Sequence, residues 1–163
     1  MHAFEQQDCP QTLAQGLAEY HRVNPLLAKG RGLSPVAQEF FRCHDAVHVV
    51  FGCSTALDDE AAVKIASLFG TTAGWRVLAG YRLHESIDIY RRLRVREVFR
   101  SIAHAAVVVP RTLRACARQR RRWPWDRFDS YLPMPLRQIR TDFGITVAHS
   151  AAQQRGKTGG VRP

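Results

Sequence analysis

The chain is poor in lysine, has no long apolar run and contains no closely spaced pair of cysteines. Only three of its 24 basic residues are lysines. No apolar stretch approaches the roughly eighteen residues that a membrane span needs, which argues against an integral membrane protein. The four cysteines lie far apart, so we predict neither a disulfide framework nor a thiolate zinc site and expect reduced, mostly buried thiols. The N-terminal sequence resembles neither a signal peptide nor a transit peptide, which predicts a cytoplasmic protein.

The composition is that of a globular domain with one unusual cluster of charge. The 163 residues are 45% hydrophobic and 23% charged, which is enough for a single domain with a hydrophobic core. The formal net charge is +10. Twelve arginines and two acidic residues fall between positions 91 and 127, so this segment carries the whole excess. The clustering of arginine, rather than the total charge, therefore needs a physical interpretation.

Apolar periodicity and helix end signals predict helices along nearly the whole chain. We expect helices over 10–23, from Ser34–Pro35 to Gly52, from Ser54 or Thr55 to Gly70, over 74–93, from 95 into the arginine cluster with a kink at Pro110, and from Pro135 to Gly144. The predicted architecture is an all-α, single-domain helical bundle over 1–150. Residues 151–163 are predicted to form a disordered tail.

Two histidines and two acidic residues around one predicted helix break form the chemically informative pattern. His44 and His48 lie four positions apart, so a helix places them on one face. Asp45 lies at the edge of that face, where a carboxylate can bind an ion or orient an imidazole. In an unbroken helix Glu60 would lie about 18 Å from His48 along the axis, too far to share an ion. The break at Gly52 lets the next helix bring Glu60 back, which predicts a metal site between two consecutive helices.

The four residues of this pattern would offer two nitrogen and two oxygen donors. This mixed set suits divalent zinc, cobalt, manganese or iron and is too rich in nitrogen for calcium or magnesium. If one of the four orients a ligand instead of binding, the remaining site of two histidines and one carboxylate keeps open positions that suit catalysis. A divalent metal ion is therefore the predicted cofactor.

The motif His-Asp-x-x-His, followed by eleven residues and Glu, resembles the signature of the coenzyme Q (ubiquinone) biosynthesis family of oxidative decarboxylases, the Coq-four proteins. In this chain the motif consists of His44, Asp45, His48 and Glu60. The Val-Val-Phe-Gly sequence that ends at Gly52 is also similar to the family. So is a distal pattern of tryptophan, leucine, Leu-Arg and Gly-Ile between Trp125 and Ile145. The resemblance spans roughly residues 34–146.

The resemblance implies an all-α fold and a divalent metal, zinc or cobalt, held by the same four residues, which are then also the candidate catalytic residues. It implies a polyprenylated aromatic acid of the 4-hydroxybenzoate type as substrate, whose ring carboxylate is lost and replaced by hydroxyl. It further implies peripheral association with the inner membrane and with other quinone-biosynthesis proteins. A non-catalytic, metal-containing, lipid-binding scaffold that organises such a complex is the alternative.

Other patterns leave further alternatives open. A metalloprotease-like helix would place Asp45 where a glutamate general base normally lies. A metal-dependent phosphohydrolase would need His21 and Asp88 beside the His-Asp pair. The segment Arg118–Trp125 suits either a solvated helix end or an anionic membrane surface, where its two tryptophans would lie at the interface. No recognition motif accompanies this basic segment, so we expect no nucleic-acid partner.

Overall fold

The computed structural model describes residues 2–25, 34–83 and 95–147, which fold as a bundle of helices. The helices are α1 (Leu13–Val23), α2 (Pro35–Phe51), α3 (Leu57–Phe69), α4 (Val77–Leu83), α5 (Val95–Ala117) and α6 (Leu136–Phe143). Short 3-10 helices lie at Ala3–Glu5, Gly74–Arg76 and Asp129–Tyr131. Within the three described ranges no strand forms, and the all-α prediction is confirmed.

Some predicted features fall outside the described residues. The predicted helix over 74–93 is observed as a 3-10 turn followed by α4, and its remainder lies outside those ranges. Asp88 and the predicted tail over 151–163 lie outside them as well. α5 continues through Pro110 as one helix, which confirms the predicted helix, and the kink at this proline stays a prediction.

Local sequence accounts for both ends of α2, the helix that carries the two motif histidines. Ser34 Oγ accepts a hydrogen bond from the backbone N of Ala37 at 3.3 Å, and Pro35 occupies the first helical position. At the other end Gly52 adopts a φ of +66°, a left-handed conformation that ends the helix and turns the chain. The predicted N-cap and the predicted glycine stop are both confirmed.

The start of α3 differs from the prediction. The N-cap residue is Ala56, rather than Ser54 or Thr55, and its side chain makes no capping hydrogen bond. Instead, Asp59 reaches back from the first turn and accepts hydrogen bonds from the backbone N and the Oγ of Ser54, at 2.7 and 2.6 Å. One carboxylate can accept hydrogen bonds from both donors. Asp59 therefore stabilises the turn that precedes α3 from within the helix, in place of a capping side chain at the N-cap position.

The hydrophobic core lies where α2 packs against α1, α3 and α6, and where α3 packs against α5. Its fully buried side chains include Leu13, Val47, Val49, Val63 and Ile139. All four cysteines are free and buried, as predicted. α2 is the central element because it packs against both α1 and α3, and its histidines therefore lie between two neighbouring helices.

The arginine-rich segment does not present both of its tryptophans to solvent. Trp123 is fully buried, and its ring lies 5.2 to 6.1 Å from the rings of Phe128, Tyr131 and Phe143. Trp125 is half-buried, whereas the arginines at 118, 120, 121 and 122 are exposed. The expectation of two interfacial tryptophans is therefore wrong for Trp123, whose ring completes the core. None of the described helices is long and apolar enough to cross a membrane.

Arg140 is a buried cation that joins two distant backbone segments. Its side chain is 1% exposed. It donates hydrogen bonds to the carbonyl oxygens of Phe4, Gln6, Val49 and Val50. The last two carbonyls belong to the final turn of α2, where helix carbonyls have few backbone partners. The Val49 oxygen also accepts from the backbone N of Gly52 at 3.3 Å. Burial lowers the pKa of Arg140 to about 10, so it remains charged at neutral pH and fixes the turn that carries His48.

Candidate metal centre

Two packed helices, α2 and α3, form the scaffold of the candidate site. His44 and His48 lie on adjacent turns of α2, with ring centroids 4.7 Å apart and ring planes at 70°. Glu60 lies on the first turn of α3. One potential ligand atom from each of these three residues lies within 4.8 Å of the other two. The turn at Gly52 thus brings together three of the four predicted site residues, and this group could hold a metal ion.

The His48 imidazole is fully buried, and one of its nitrogens faces the backbone. Its Nδ1 lies 3.3 Å from the carbonyl oxygen of Cys53, to which a protonated Nδ1 donates, leaving the lone pair on Nε2. Nε2 lies 3.3 Å from Glu60 Oε1 but lacks the geometry of a hydrogen bond to it. Because buried polar atoms nearly always have a partner, this nitrogen fits the role of a metal ligand.

His44 is packed between an aromatic ring and a carboxylate. It is buried, and its ring stacks on Phe40 one turn earlier, with centroids 6.0 Å apart and planes at 23°. Its Nδ1 lies 3.9 Å from Asp45 Oδ1. A carboxylate on this side favours the proton on Nδ1, which leaves the Nε2 lone pair for an ion.

Asp45 does not belong to the group of three. Its Oδ2 accepts a hydrogen bond from His21 Nε2 at 2.8 Å, and its side chain is buried. Burial raises the pKa of the Asp45 carboxyl, but the contacts with His21 and His44 together outweigh burial and hold that pKa below its usual value. The structure therefore places Asp45 beside the ligand group as an ionised neighbour of His44, rather than within the group.

Glu60 is the most accessible member of the group, with 31% of its side chain exposed. Burial raises the pKa of its carboxyl, but His48, His44 and Lys64 together lower that pKa by more than burial raises it. The pKa of Glu60 therefore lies below its usual value. Glu60 is therefore ionised at neutral pH, as a metal ligand must be.

Tyr20 and His21, on the last turns of α1, are contacts that the motif did not identify. The Tyr20 ring lies 5.1 Å from the His48 ring, and Tyr20 itself is fully buried. Burial, followed by the charges of Asp45 and Glu60, raises the pKa of Tyr20, so its hydroxyl stays protonated. Only the packing of α1 on α2 places Tyr20 against a histidine.

A cavity of about 150 Å³ borders the same face of α2. It is lined by Phe40, Thr72, Ala73, Arg76, Val77, Trp125 and Asp126. Phe40 links this cavity to the metal-ligand group because its ring contacts both His44 and Trp125, with centroids 6.0 and 5.7 Å away. A cavity with aromatic walls suits a planar ring, and Arg76 and Asp126 add one cation and one anion to its lining.

The arrangement fits a divalent ion with open coordination positions. Two imidazole nitrogens and one carboxylate oxygen form the donor set of catalytic zinc sites and of non-haem iron sites. The phosphohydrolase alternative places His21 near the His-Asp pair, and His21 does contact Asp45. Within the described ranges, however, His21 joins no group that could hold an ion, and Asp88 lies outside those ranges.

Comparison with protein-family models, with curated proteins and with solved structures finds no match for this chain. The class defined by the described residues is therefore an all-α protein with a histidine–carboxylate group that could hold a metal ion. None of these comparisons identifies the coenzyme Q family, so the resemblance to it depends on the sequence patterns alone: the His-Asp-x-x-His…Glu motif, the sequence that ends at Gly52 and the distal pattern.

Proposed function

We propose that this protein is a metal-dependent enzyme of coenzyme Q biosynthesis that acts on a polyprenylated 4-hydroxybenzoate-type ring by oxidative decarboxylation. The observation that carries the proposal is the group of ligand atoms from His44, His48 and Glu60 within 4.8 Å of one another, in which the buried His48 Nε2 faces Glu60 Oε1 at 3.3 Å without hydrogen-bond geometry. The spacing of these residues, similar to that of the Coq-four family, supports the reaction class.

Three side chains bind the ion in the proposed enzyme: His44 and His48 through nitrogen, and Glu60 through a carboxylate oxygen. When bound, the ion supplies a Lewis acid that polarises the carboxylate and the neighbouring phenolate oxygen of the substrate. Because the three ligands carry one negative charge in total, the loaded site attracts an anionic acid. Burial of both imidazoles keeps water from their side of the site and strengthens these electrostatic contacts.

The cavity beside Phe40 receives the aromatic ring in this proposal. Its volume of about 150 Å³ is comparable to cavities that hold a single benzene ring. Phe40 and Trp125 offer faces for stacking, and Arg76 offers a guanidinium to an anionic ring substituent.

The apolar tail of the substrate needs a surface outside this small cavity. Trp75 and Leu78 are 70% and 44% exposed, and they directly flank the cavity residues Arg76 and Val77 in the sequence. Exposed large apolar side chains beside a cavity indicate where a lipid tail would lie. Association with an anionic membrane through the exposed arginines at 118, 120, 121 and 122 is part of the same proposal.

Elemental analysis of the purified protein tests the metal site first. We expect about one zinc or other divalent ion per chain, and loss of that ion in His48→Ala and Glu60→Ala. His2→Ala is the matched control because this histidine also lies near a carboxylate, that of Glu19, but does not belong to the ligand group. Since the Glu60 side chain is partly exposed, Glu60→Ala should fold and still lose the ion.

Conversion of a prenylated 4-hydroxybenzoate, assayed in air by mass spectrometry, tests the reaction. We expect the metal-loaded protein to exchange the ring carboxylate for hydroxyl and Glu60→Ala to form no product. A metal-loaded wild-type protein that binds the prenylated acid without turnover would support the lipid-binding scaffold instead. A purified protein without stoichiometric metal, and with no affinity for added zinc, would contradict the proposal as a whole.

A further inference from the structure

We infer that His21 is a positioning residue of the metal centre: through Asp45 it orients the His44 imidazole for metal binding. The geometry is a relay of three side chains from two helices. His21 Nε2 lies 2.8 Å from Asp45 Oδ2, and Asp45 Oδ1 lies 3.9 Å from His44 Nδ1. This inference depends on the proposed metal centre but assigns a role to a residue outside its ligands.

The first link of the relay fixes the carboxylate. Asp45 is only 6% exposed, and a buried carboxylate is costly unless donors pair with it. His21 supplies such a donor in a short hydrogen bond, and a hydrogen bond to a charged acceptor is among the stronger ones in proteins. With Oδ2 held by His21, the carboxylate cannot turn freely, and Oδ1 remains directed toward His44.

The second link brings a carboxylate oxygen to the Nδ1 side of His44, at 3.9 Å. A carboxylate oxygen near Nδ1 favours the proton on that nitrogen and leaves Nε2 with its lone pair. The backbone carbonyl of Cys53 does the same for His48, at 3.3 Å from its Nδ1. Both imidazoles of the site thus have an oxygen on the Nδ1 side, one from the backbone and one from the carboxylate that His21 holds.

The position of His21 on α1 links this relay to the rest of the site. The preceding residue, Tyr20, packs its ring 5.1 Å from the ring of His48. One turn of α1 therefore supports both imidazoles, one by ring packing and the other through Asp45. The half-exposed His21 side chain can be replaced with little disturbance of the core.

Zinc affinity, measured by competition with a chromogenic chelator, tests the inference in a set of variants. His21→Leu removes the donor, whereas His21→Gln places an amide N–H near the position of Nε2. His2→Leu is the matched control, since His2 and His21 have equal side-chain exposure of 39% and each lies near a carboxylate. We expect His21→Leu to bind zinc about 10- to 100-fold more weakly, and His21→Gln and His2→Leu to stay close to wild type.

A double-mutant cycle with Asp45→Asn tests whether His21 acts through Asp45. If it does, the double variant with His21→Leu binds zinc within about twofold of Asp45→Asn alone. The visible spectrum of the Co²⁺-loaded proteins gives a second readout, because a change in ligand orientation alters its band positions. We expect His21→Leu and Asp45→Asn to shift the bands in the same way and His21→Gln to restore them.

The outcomes separate this inference from the proposed function. Unchanged zinc affinity in His21→Leu, failure of His21→Gln to restore affinity, or full additivity with Asp45→Asn would each overturn the role of His21. If zinc binding in the same experiments still depends on His48 and Glu60, the metal centre itself stands. If the wild-type protein binds no zinc, both the inference and the proposed function fail.

Discussion

Replacing Arg140 by methionine tests how α6 supports the helix that carries the two histidines. Methionine fills much of the same volume but donates no hydrogen bond. Four backbone carbonyl oxygens then lose the hydrogen bond that the buried guanidinium of Arg140 donates to each of them. Two of them, on Val49 and Val50, belong to the turn of α2 that follows His48. We therefore expect both the stability of the fold and the affinity for metal to fall.

The magnitude follows from burial and from the number of bonds. A hydrogen bond to a charged group contributes about 1.5–3 kcal/mol, and an unsatisfied buried group costs about 1–3 kcal/mol. The four bonds share one side chain and are not independent, so their sum overstates the effect. We expect Arg140→Met to lower the free energy of unfolding by about 4 kcal/mol, the lower end of the range for four buried carbonyls that lose a donor. For a chain of this size that loss corresponds to a decrease in Tm of about 8–16 °C.

Urea unfolding followed by circular dichroism measures this change, with Arg137→Met as the matched control. Arg137 lies on the same helix, three residues earlier, and its side chain is exposed. Its replacement should change the free energy of unfolding by less than about 0.5 kcal/mol. A loss under about 1 kcal/mol for Arg140→Met would refute the reasoning, because the carbonyls would then not need this cation.

Three further experiments test other parts of the structure. Gly80→Ala should destabilise the fold by about 1–3 kcal/mol in urea unfolding, since its Cβ would lie 2.1 Å from the Phe40 ring; an unchanged midpoint would show that the ring moves freely. The hydrogen bond with Asp45 raises the pKa of His21 above its ordinary value of 6.5, so the stabilisation from this pair is complete below that pH and disappears as pH rises through the folded-state pKa. Metal-free wild type should therefore exceed His21→Leu in unfolding free energy by more at pH 6 than at pH 9, and equal differences would argue against the pair. Zinc at a thousand times its dissociation constant should add about 4 kcal/mol to the unfolding free energy, a gain that a chelator removes and that His48→Ala lacks.

The sequence by itself determined the features that depend on neighbouring residues. The serine–proline start and the glycine end of α2 lie within one turn of the backbone groups that they affect, so local chemistry predicts them. The placement of His44 and His48 on one face follows from helical periodicity alone. The approach of Glu60 required only that the chain turn at Gly52, which the left-handed φ of this glycine provides.

Other features depend on partners that are distant in sequence, and local patterns carry no information about those partners. The neighbouring arginines in the sequence predict that Trp123 lies at the surface, but its ring packs against those of Phe128 and Phe143. Nothing near Arg140 in the sequence indicates that it binds carbonyls 90 and 91 residues earlier.

The role of Asp45 shows most directly what only the tertiary structure decided. Its place next to His44 suggested a fourth metal ligand, since a residue one position away on a helix is rotated by only about 100°. Which neighbour the carboxylate meets depends on how α1 packs against α2, and that packing gives it His21 at 2.8 Å. Helical periodicity fixes the direction of a side chain from its own helix, but the partner that it meets is set by the long-range burial of apolar surface between helices.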